Sequence, residues 1–154
     1  MRNTRTLAAL ILAVPALAGA LEPTELGIGG VISGAPEASV LLLLGEPATL
    51  VDTGEGTELH YPGLVVTVGW LEQEGPEAQR RVTALLGTGP RACTPRGLCP
   101  GMPSSEVSRL YGPSAPVLRE SGTFFEFQPD EVACWLQVSA PAATVESVAV
   151  ACQP

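Results

Sequence analysis

The stretch Gly34-Ala-Pro-Glu-Ala-Ser-Val-Leu-Leu-Leu-Leu-Gly45 decides the fold, because Gly101-Met-Pro-Ser-Ser-Glu-Val-Ser-Arg-Leu-Tyr-Gly112 answers it 67 residues later. Glycine, proline, valine, leucine and glycine coincide at 34/101, 36/103, 40/107, 43/110 and 45/112. Each stretch carries the punctuation of a short helix. Pro36 and Pro103 stand where a helix starts, a place that tolerates a missing N–H. Val40, Leu43 and Leu44, then Val107, Leu110 and Tyr111, recur at the i, i+3, i+4 spacing of one buried helical face. Gly45 and Gly112 supply the left-handed residue that ends it. Glu106, near the third helical position, is half of a capping box whose Ser/Thr partner has become Pro103.

Outward from each helix the pattern turns to strands. Glu58–Tyr61 precedes the turn dipeptide Pro62-Gly63, and the β-branched, aromatic run Leu64–Trp70 follows it. Glu72–Gln79 reads as a turn and Arg81–Leu86 as a third strand. The second half matches with Phe124–Phe127, Val132–Val138 and Val145–Ala151, Gly56-Thr-Glu-Leu-His-Tyr61 aligning with Gly122-Thr-Phe-Phe-Glu-Phe127 at an offset of 66. A shrinking offset is the behaviour of a tandem duplication with shortening loops. The expected fold is therefore α+β: two tandem repeats, each a short helix followed by a three-stranded antiparallel sheet, over residues 21–90 and 91–154.

Residues 1–20 read as a secretory signal peptide. Arg2 and Arg5 form a basic start, Leu7–Leu17 is apolar but broken by Pro15, and small residues allow cleavage after Ala18 or Ala20. The run is too short for a membrane span, and with the first cysteine at Cys93 no thiol stands at either cleavage point to take a lipid anchor. The expected location is the periplasm or outside the cell.

Charge narrows the partners. The chain carries 16 acids against 8 basic residues, all of them arginine, for a net charge of −8. That balance argues against nucleic acid, which needs a basic face. The acid is uneven: residues 21–86 hold ten acids and two arginines, residues 87–154 six acids and four arginines. Solubility accounts for this; a sharper reading is an acidic surface offered to a basic partner.

Cys93, Cys99, Cys134 and Cys152 form an even set, which in an exported chain points to disulfides. Of three possible pairings, Cys93–Cys99 would close a short loop containing Pro95 and Gly97. Cys134–Cys152 would tie two late strands, since alternation puts Cys134 with Val132 and Leu136, and Cys152 with Val148 and Val150. Zinc is the competitor, but the cysteine spacing is not that of a zinc knuckle and His60, the single histidine, is distant in sequence.

The segment Gly101–Pro113 resembles the Gly-Met-Ser/Thr-x-x-Glu/Gln-Val-x-x-Leu-x-Gly-x-Pro signature of the small outer-membrane assembly lipoproteins of the SmpA/BamE type. The same unit in tandem is the plan of the secreted β-lactamase inhibitor proteins, and Gly34–Pro47 is similar to a degraded copy of it. The resemblance implies a paired α/β fold and a habit of binding other proteins without catalysis.

A search for chemistry returns little. His60 would have to serve as base for any serine triad, yet no Gly-x-Ser-x-Gly elbow exists, and on a strand His60 shares a face with Glu58. Asp52, Glu55, Glu58 and His60 are the nearest approach to a metal cluster, but they lack the alternating acids and terminal glutamate of a calcium loop. Gly27-Ile-Gly-Gly30 is a turn leading into Val31, not a phosphate cradle. Phe124 and Phe125 cannot both point inward, so one of them is a candidate contact.

The expected function is thus an exported, non-catalytic protein-binding module of the bacterial envelope. Its candidate contacts are Asp52, Glu55, Glu58, His60 and Phe124, its partner another envelope or secreted protein, and no cofactor or metal is expected. Two alternatives stand beside it. One is an inhibitor of a secreted hydrolase acting through the acidic, Gly-rich segment Val51–Glu58; the other is a small-molecule or lipid carrier with an apolar cavity between sheets and helices.

Overall fold

The computed structural model describes residues 19–70, 78–130 and 132–153. The expected signal peptide therefore lies, but for Gly19 and Ala20, outside the described residues, as does most of the expected turn at 72–79.

A 3-10 turn at Pro23–Glu25 leads into a small ribbon of β1 (Gly27–Ile28) and β2 (Val31–Ile32). Gly29 and Gly30 both have positive φ, +62° and +85°, the geometry a two-residue hairpin loop requires. Helix α1 (Glu37–Leu44) follows, then β3 (Thr49–Thr53), β4 (Gly56–Tyr61), β5 (Leu64–Gly69) and β6 (Arg81–Gly87). Beyond the Cys93–Cys99 loop come α2 (Ser105–Tyr111), β7 (Val117–Arg119), β8 (Gly122–Phe127), β9 (Cys134–Ser139) and β10 (Ser147–Cys152).

The eight strands after the ribbon form one antiparallel sheet in the order β3-β4-β5-β6-β10-β9-β8-β7. This corrects the expected fold class. Among the described residues the chain is mostly β, with two short α-helices, and is not two tandem helix-plus-three-strand repeats. The hydrogen bonds between β6 and β10 run four residue pairs long, from Val148↔Gly87 to Ala151↔Ala84, and leave no boundary between two sheets. Two free strand edges meeting there satisfy each other's backbone groups, which separate three-stranded sheets would have left open. Each set also contains a strand more than expected. The acidic, Gly-rich segment Val51–Glu58 belongs to a hairpin in which β3 pairs β4 from Thr49↔His60 to Thr53↔Gly56; β7 pairs β8 from Val117↔Phe124 to Arg119↔Gly122.

The helices are shorter in their buried stripe than the spacing predicts. Val40 is buried and Leu44 packs partly on the core, but Leu43 is 58% exposed. Pro36 precedes α1 as its cap residue, and α2 begins two residues after Pro103 with Ser104 as cap. Gly45 (φ +78°, ψ −166°) and Gly112 (φ +86°, ψ 173°) end the helices at the positive φ expected, but with extended ψ in place of the left-handed helical value.

The core lies on one face of the sheet. One row of it crosses six strands in register: Leu59, Val66, Leu85, Val150, Leu136 and Phe127. The first five are buried and Phe127 packs against them. Val40, Val107 and Tyr111 from the helices and Leu26, Ile28 and Val31 from the ribbon complete the same cluster. Strand alternation sends every second residue to the other face, where no helix packs in the described structure.

Covalent and ionic links tie the outer segments down. Cys93 is bonded to Cys99, and Cys134 to Cys152, which sit directly opposite each other on β9 and β10. From the first disulfide loop Arg96 donates to both oxygens of Glu25 at 2.7 Å, to the carbonyls of Gly19, Ala20 and Leu110, and lies over the Tyr111 ring. Hydrogen bonding to this guanidinium holds the Glu25 carboxyl below its ordinary value, against the opposing effect of burial.

Candidate functional site

Register defines what the uncovered face presents. One row runs Thr49, His60, Val65, Leu86, Ala149, Gln137 and Glu126; the next runs Val51, Glu58, Thr67, Ala84, Ala151 and Trp135. The middle is small or apolar (Val65, Leu86, Ala84, Ala149 and Ala151), and hydrogen-bonding side chains stand on both sides of it. An apolar centre with a polar rim is the anatomy of a protein interface.

At the first-half end the structure brings Asp52, Glu55, Glu58 and His60 onto the β3–β4 hairpin. Glu58 and His60 share the uncovered face, with Glu58 Oε2 and His60 Nε2 2.8 Å apart. Asp52 lies on the opposite side of β3, where its Oδ1 accepts from Thr57 Oγ1 at 2.8 Å. Thr57 Oγ1 in turn accepts from Arg80, and Arg80 pairs with Glu37 in the first turn of α1. Glu55 occupies the two-residue turn, its N–H donating to Thr53 Oγ1. Of the three expected acidic contacts, Asp52 and Glu58 have side-chain partners within the hairpin, while Glu55 is held in its turn by its backbone N–H alone. Among the described residues no group of three or more acids, histidines and cysteines is arranged to hold a metal.

Phe124 lies on the same face as Glu58 and His60 but does not join them. β4 and β8 are separated by five strand spacings, about 24 Å at ~4.8 Å each. The partition of the aromatics follows from alternation: Phe125 and Phe127 pack against the core and Phe124 against neither helix. Trp70, expected at the end of a strand, lies one residue past β5 and is 68% exposed.

The second-half end carries a feature the sequence reading missed. A cleft of about 760 Å³ is lined by Val117, Arg119, Glu126, Trp135, Gln137 and Gln153, among others. Arg119 donates to both oxygens of Glu126, at 2.9 and 2.5 Å, and Gln137 Nε2 donates to Glu126 Oε1 at 2.8 Å. The Arg119 hydrogen bonds hold the Glu126 carboxyl below its ordinary value, burial opposing them. These residues come from three strands, and only pairing of β7, β8 and β9 places them together; their i, i+2 spacing was the one local signal. Between sheet and helices the core cluster packs, and an apolar pocket of about 110 Å³ lies between α1 and the ribbon, lined by Val31, Ile32, Val40 and Leu43 among others.

No family model matches the sequence, and no curated protein matches it. Two solved structures align with much of the chain. An extracellular protein containing an SCP domain from Bacillus anthracis aligns with a TM-score of 0.50 at 14% identity, over 79% of this chain and 44% of that one. A cysteine-rich secretory protein from Staphylococcus aureus aligns with a TM-score of 0.46 at 13% identity, over 85% of this chain and 48% of that one. This chain thus spans less than half the length of either protein. The expected kinship with the assembly lipoproteins and the β-lactamase inhibitor proteins is overturned, since the similar folds belong to other proteins and no family model supports it. The physical reason is that the Gly-x-Pro…Val-x-x-Leu-x-Gly pattern encodes a capped short helix, which many unrelated folds require.

Proposed function

We propose that this chain is an exported, non-catalytic module that binds another protein of the bacterial envelope or of the medium across the uncovered face of its sheet. The observation that carries the reading is that face: eight strands wide, clear of both helices, apolar in the middle and hydrogen-bonding at its two ends. Burial of an apolar centre supplies affinity, and the Glu58/His60 and Arg119/Glu126/Gln137 groups at the rim supply specificity. The excess acid of the first half suits a partner with a basic surface.

Two further features support export and the lack of catalysis. All four cysteines are in disulfides, which persist in oxidising compartments and leave no thiol nucleophile. His60 is engaged by Glu58 on an open strand, without a neighbouring nucleophile to activate. The Bacillus protein of similar fold is extracellular by description.

The test is crosslinking of the full chain in native envelope and culture-medium fractions, with carboxylate-reactive reagents because the chain has no lysine. The expected result is saturable crosslinking of one partner through Glu58 and Glu126, abolished by Leu86→Arg in the centre of the face. Absence of a saturable partner, or crosslinks confined to helix-side acids such as Glu106, would overturn the reading.

A further inference from the structure

The two edges of the sheet are protected to very different degrees. β7 is three residues long, follows Pro116, and carries Arg119 latched to Glu126 on its neighbour. Shortness, proline and a charge are the usual means of keeping an edge from pairing with another chain. β3 lacks the first two, and its one charge, Asp52, accepts from Thr57 of the neighbouring strand. It is five residues long, all exposed, contains no proline or cation, and keeps unbroken register with β4. Leu50 is 61% exposed on it. On its outer side alternate residues present backbone N–H and C=O groups with no strand among the described residues to receive them.

The edge segment itself carries only acids, and the Arg80 guanidinium that donates to Thr57 behind it is paired with Glu37. Glu46 precedes β3, Asp52 lies in it, Glu55 turns it and Glu58 flanks it; from residue 46 to residue 60 the sequence has no lysine or arginine. Glu46, Asp52 and Glu55 make no ion pair among the described residues.

From the open backbone and this charge we propose that β3 is a strand-addition site, at which an extended, basic segment of the partner protein becomes the ninth strand of the sheet. Main-chain hydrogen bonds to β3 hold the segment whatever its sequence, and side chains at alternate positions select it. Apolar residues of the added strand lie on the face of Val51, and arginines or lysines on the opposite face beside Asp52, their stems against Leu50. A second copy of this chain does not fit the role. Two β3 strands pairing would oppose their acidic clusters, and like charges across a strand pair are destabilising. The proposal rests on the protein-binding reading above but concerns the edge and not the face.

The test uses the full chain and a short synthetic peptide alternating arginine with valine, with its glutamate-for-arginine counterpart as control. The basic peptide is expected to bind saturably, to weaken with salt, and to slow amide hydrogen exchange in Thr49–Thr53. Asp52→Lys should weaken binding about tenfold, and Leu50→Lys, which leaves the Asp52–Thr57 bond intact, should do the same if folding of the first variant suffers. Leu86→Arg on the face should leave peptide binding unchanged. Equal binding of the acidic and basic peptides, or saturation without protection of β3, would overturn the proposal. Concentration-dependent protection of β3 without peptide would overturn it in favour of self-pairing. A natural partner lost on Leu86→Arg but unaffected by Leu50→Lys would sink the edge site while sustaining the face.

Discussion

Residues 49–87 and residues 117–152 each contribute four strands to the sheet, yet they hold those strands by different means. In the first set the second strand from the edge, β4, buries Leu59 and Thr57, and β5 buries Leu64, Val66 and Val68. The corresponding strand of the second set, β8, has no fully buried residue and relies on partly buried Phe125 and Phe127. The second set instead has the Cys134–Cys152 bond across its two inner strands and the Arg119–Glu126–Gln137 network across its outer three. Where apolar burial is thinner, covalent and charge-assisted links replace it, and the edge beside them is short. Where burial is fuller, the edge strand is long and open. The half with the better core thus has the freedom to expose an edge.

The largest test of this comparison is at the seam. Leu85→Ala removes a buried side chain from the row that crosses β6 and β10, and a loss of about 2–5 kcal/mol is expected. Urea unfolding followed by Trp70/Trp135 fluorescence and by far-ultraviolet circular dichroism should give coincident transitions, because one core spans both sets. Two separated transitions would show that the halves fold independently and would break the comparison.

Next in size is the disulfide contrast. Replacing Cys134 and Cys152 by alanine should cost about 3 kcal/mol, and replacing Cys93 and Cys99 about 2 kcal/mol, from the lengths of the loops closed. Hydrogen exchange sharpens the point: loss of Cys134–Cys152 should deprotect β8 and β9 more than β4 and β5. Uniform deprotection would mean that the bond does not compensate for local burial.

Smaller effects are expected from the ionic ties. Arg96→Ala removes donors to Glu25 and to three carbonyls and should cost about 1–3 kcal/mol by chemical denaturation, with faster exchange over residues 19–26. Arg80→Ala, whose pair with Glu37 is more exposed, should cost about 1 kcal/mol or less. The reverse order would place the stronger staple in the first half.

The smallest effect is on pH. Glu25 and Glu126 are held below the ordinary glutamate value of 4.5 in the folded chain, each chiefly by hydrogen bonds from an arginine. Their contribution to stability is therefore fully present above that value and is lost as pH falls through the lowered folded values. Denaturant midpoints measured from pH 6 downward should stay level to about pH 4.5 and then decline. In Glu126→Gln the decline should be shallower; an unchanged slope would mean the Arg119 pair contributes nothing.

Much of the central sheet was legible in the residues. Pro62-Gly63 marked the β4–β5 turn, and Gly63 does adopt φ +72° there, with its carbonyl accepting from Thr88 and Gly89. Alternation put Cys134 and Cys152 on meeting faces. The edge strands were not legible. β3 holds Thr, Leu, Val and Asp and runs into Gly54-Glu-Gly56, so its polar and glycine content reads locally as loop; it is a strand because β4 offers it a ladder. β7 is too short to carry a periodic signal. The cleft around Trp135 was hidden for the same reason, since its residues are neighbours only across paired strands.

By itself the sequence determined the local units: two short helices ended by Gly45 and Gly112, the hairpin turns, the alternating faces and an acid-rich first half. These depend on φ preferences and side-chain period, which act over a few residues. Only the tertiary structure decided that β6 pairs with β10 into one sheet, that among the described residues both helices lie on one face, and that β3 ends the described sheet. Those outcomes come from backbone hydrogen bonds between segments some sixty residues apart, and no local preference encodes them.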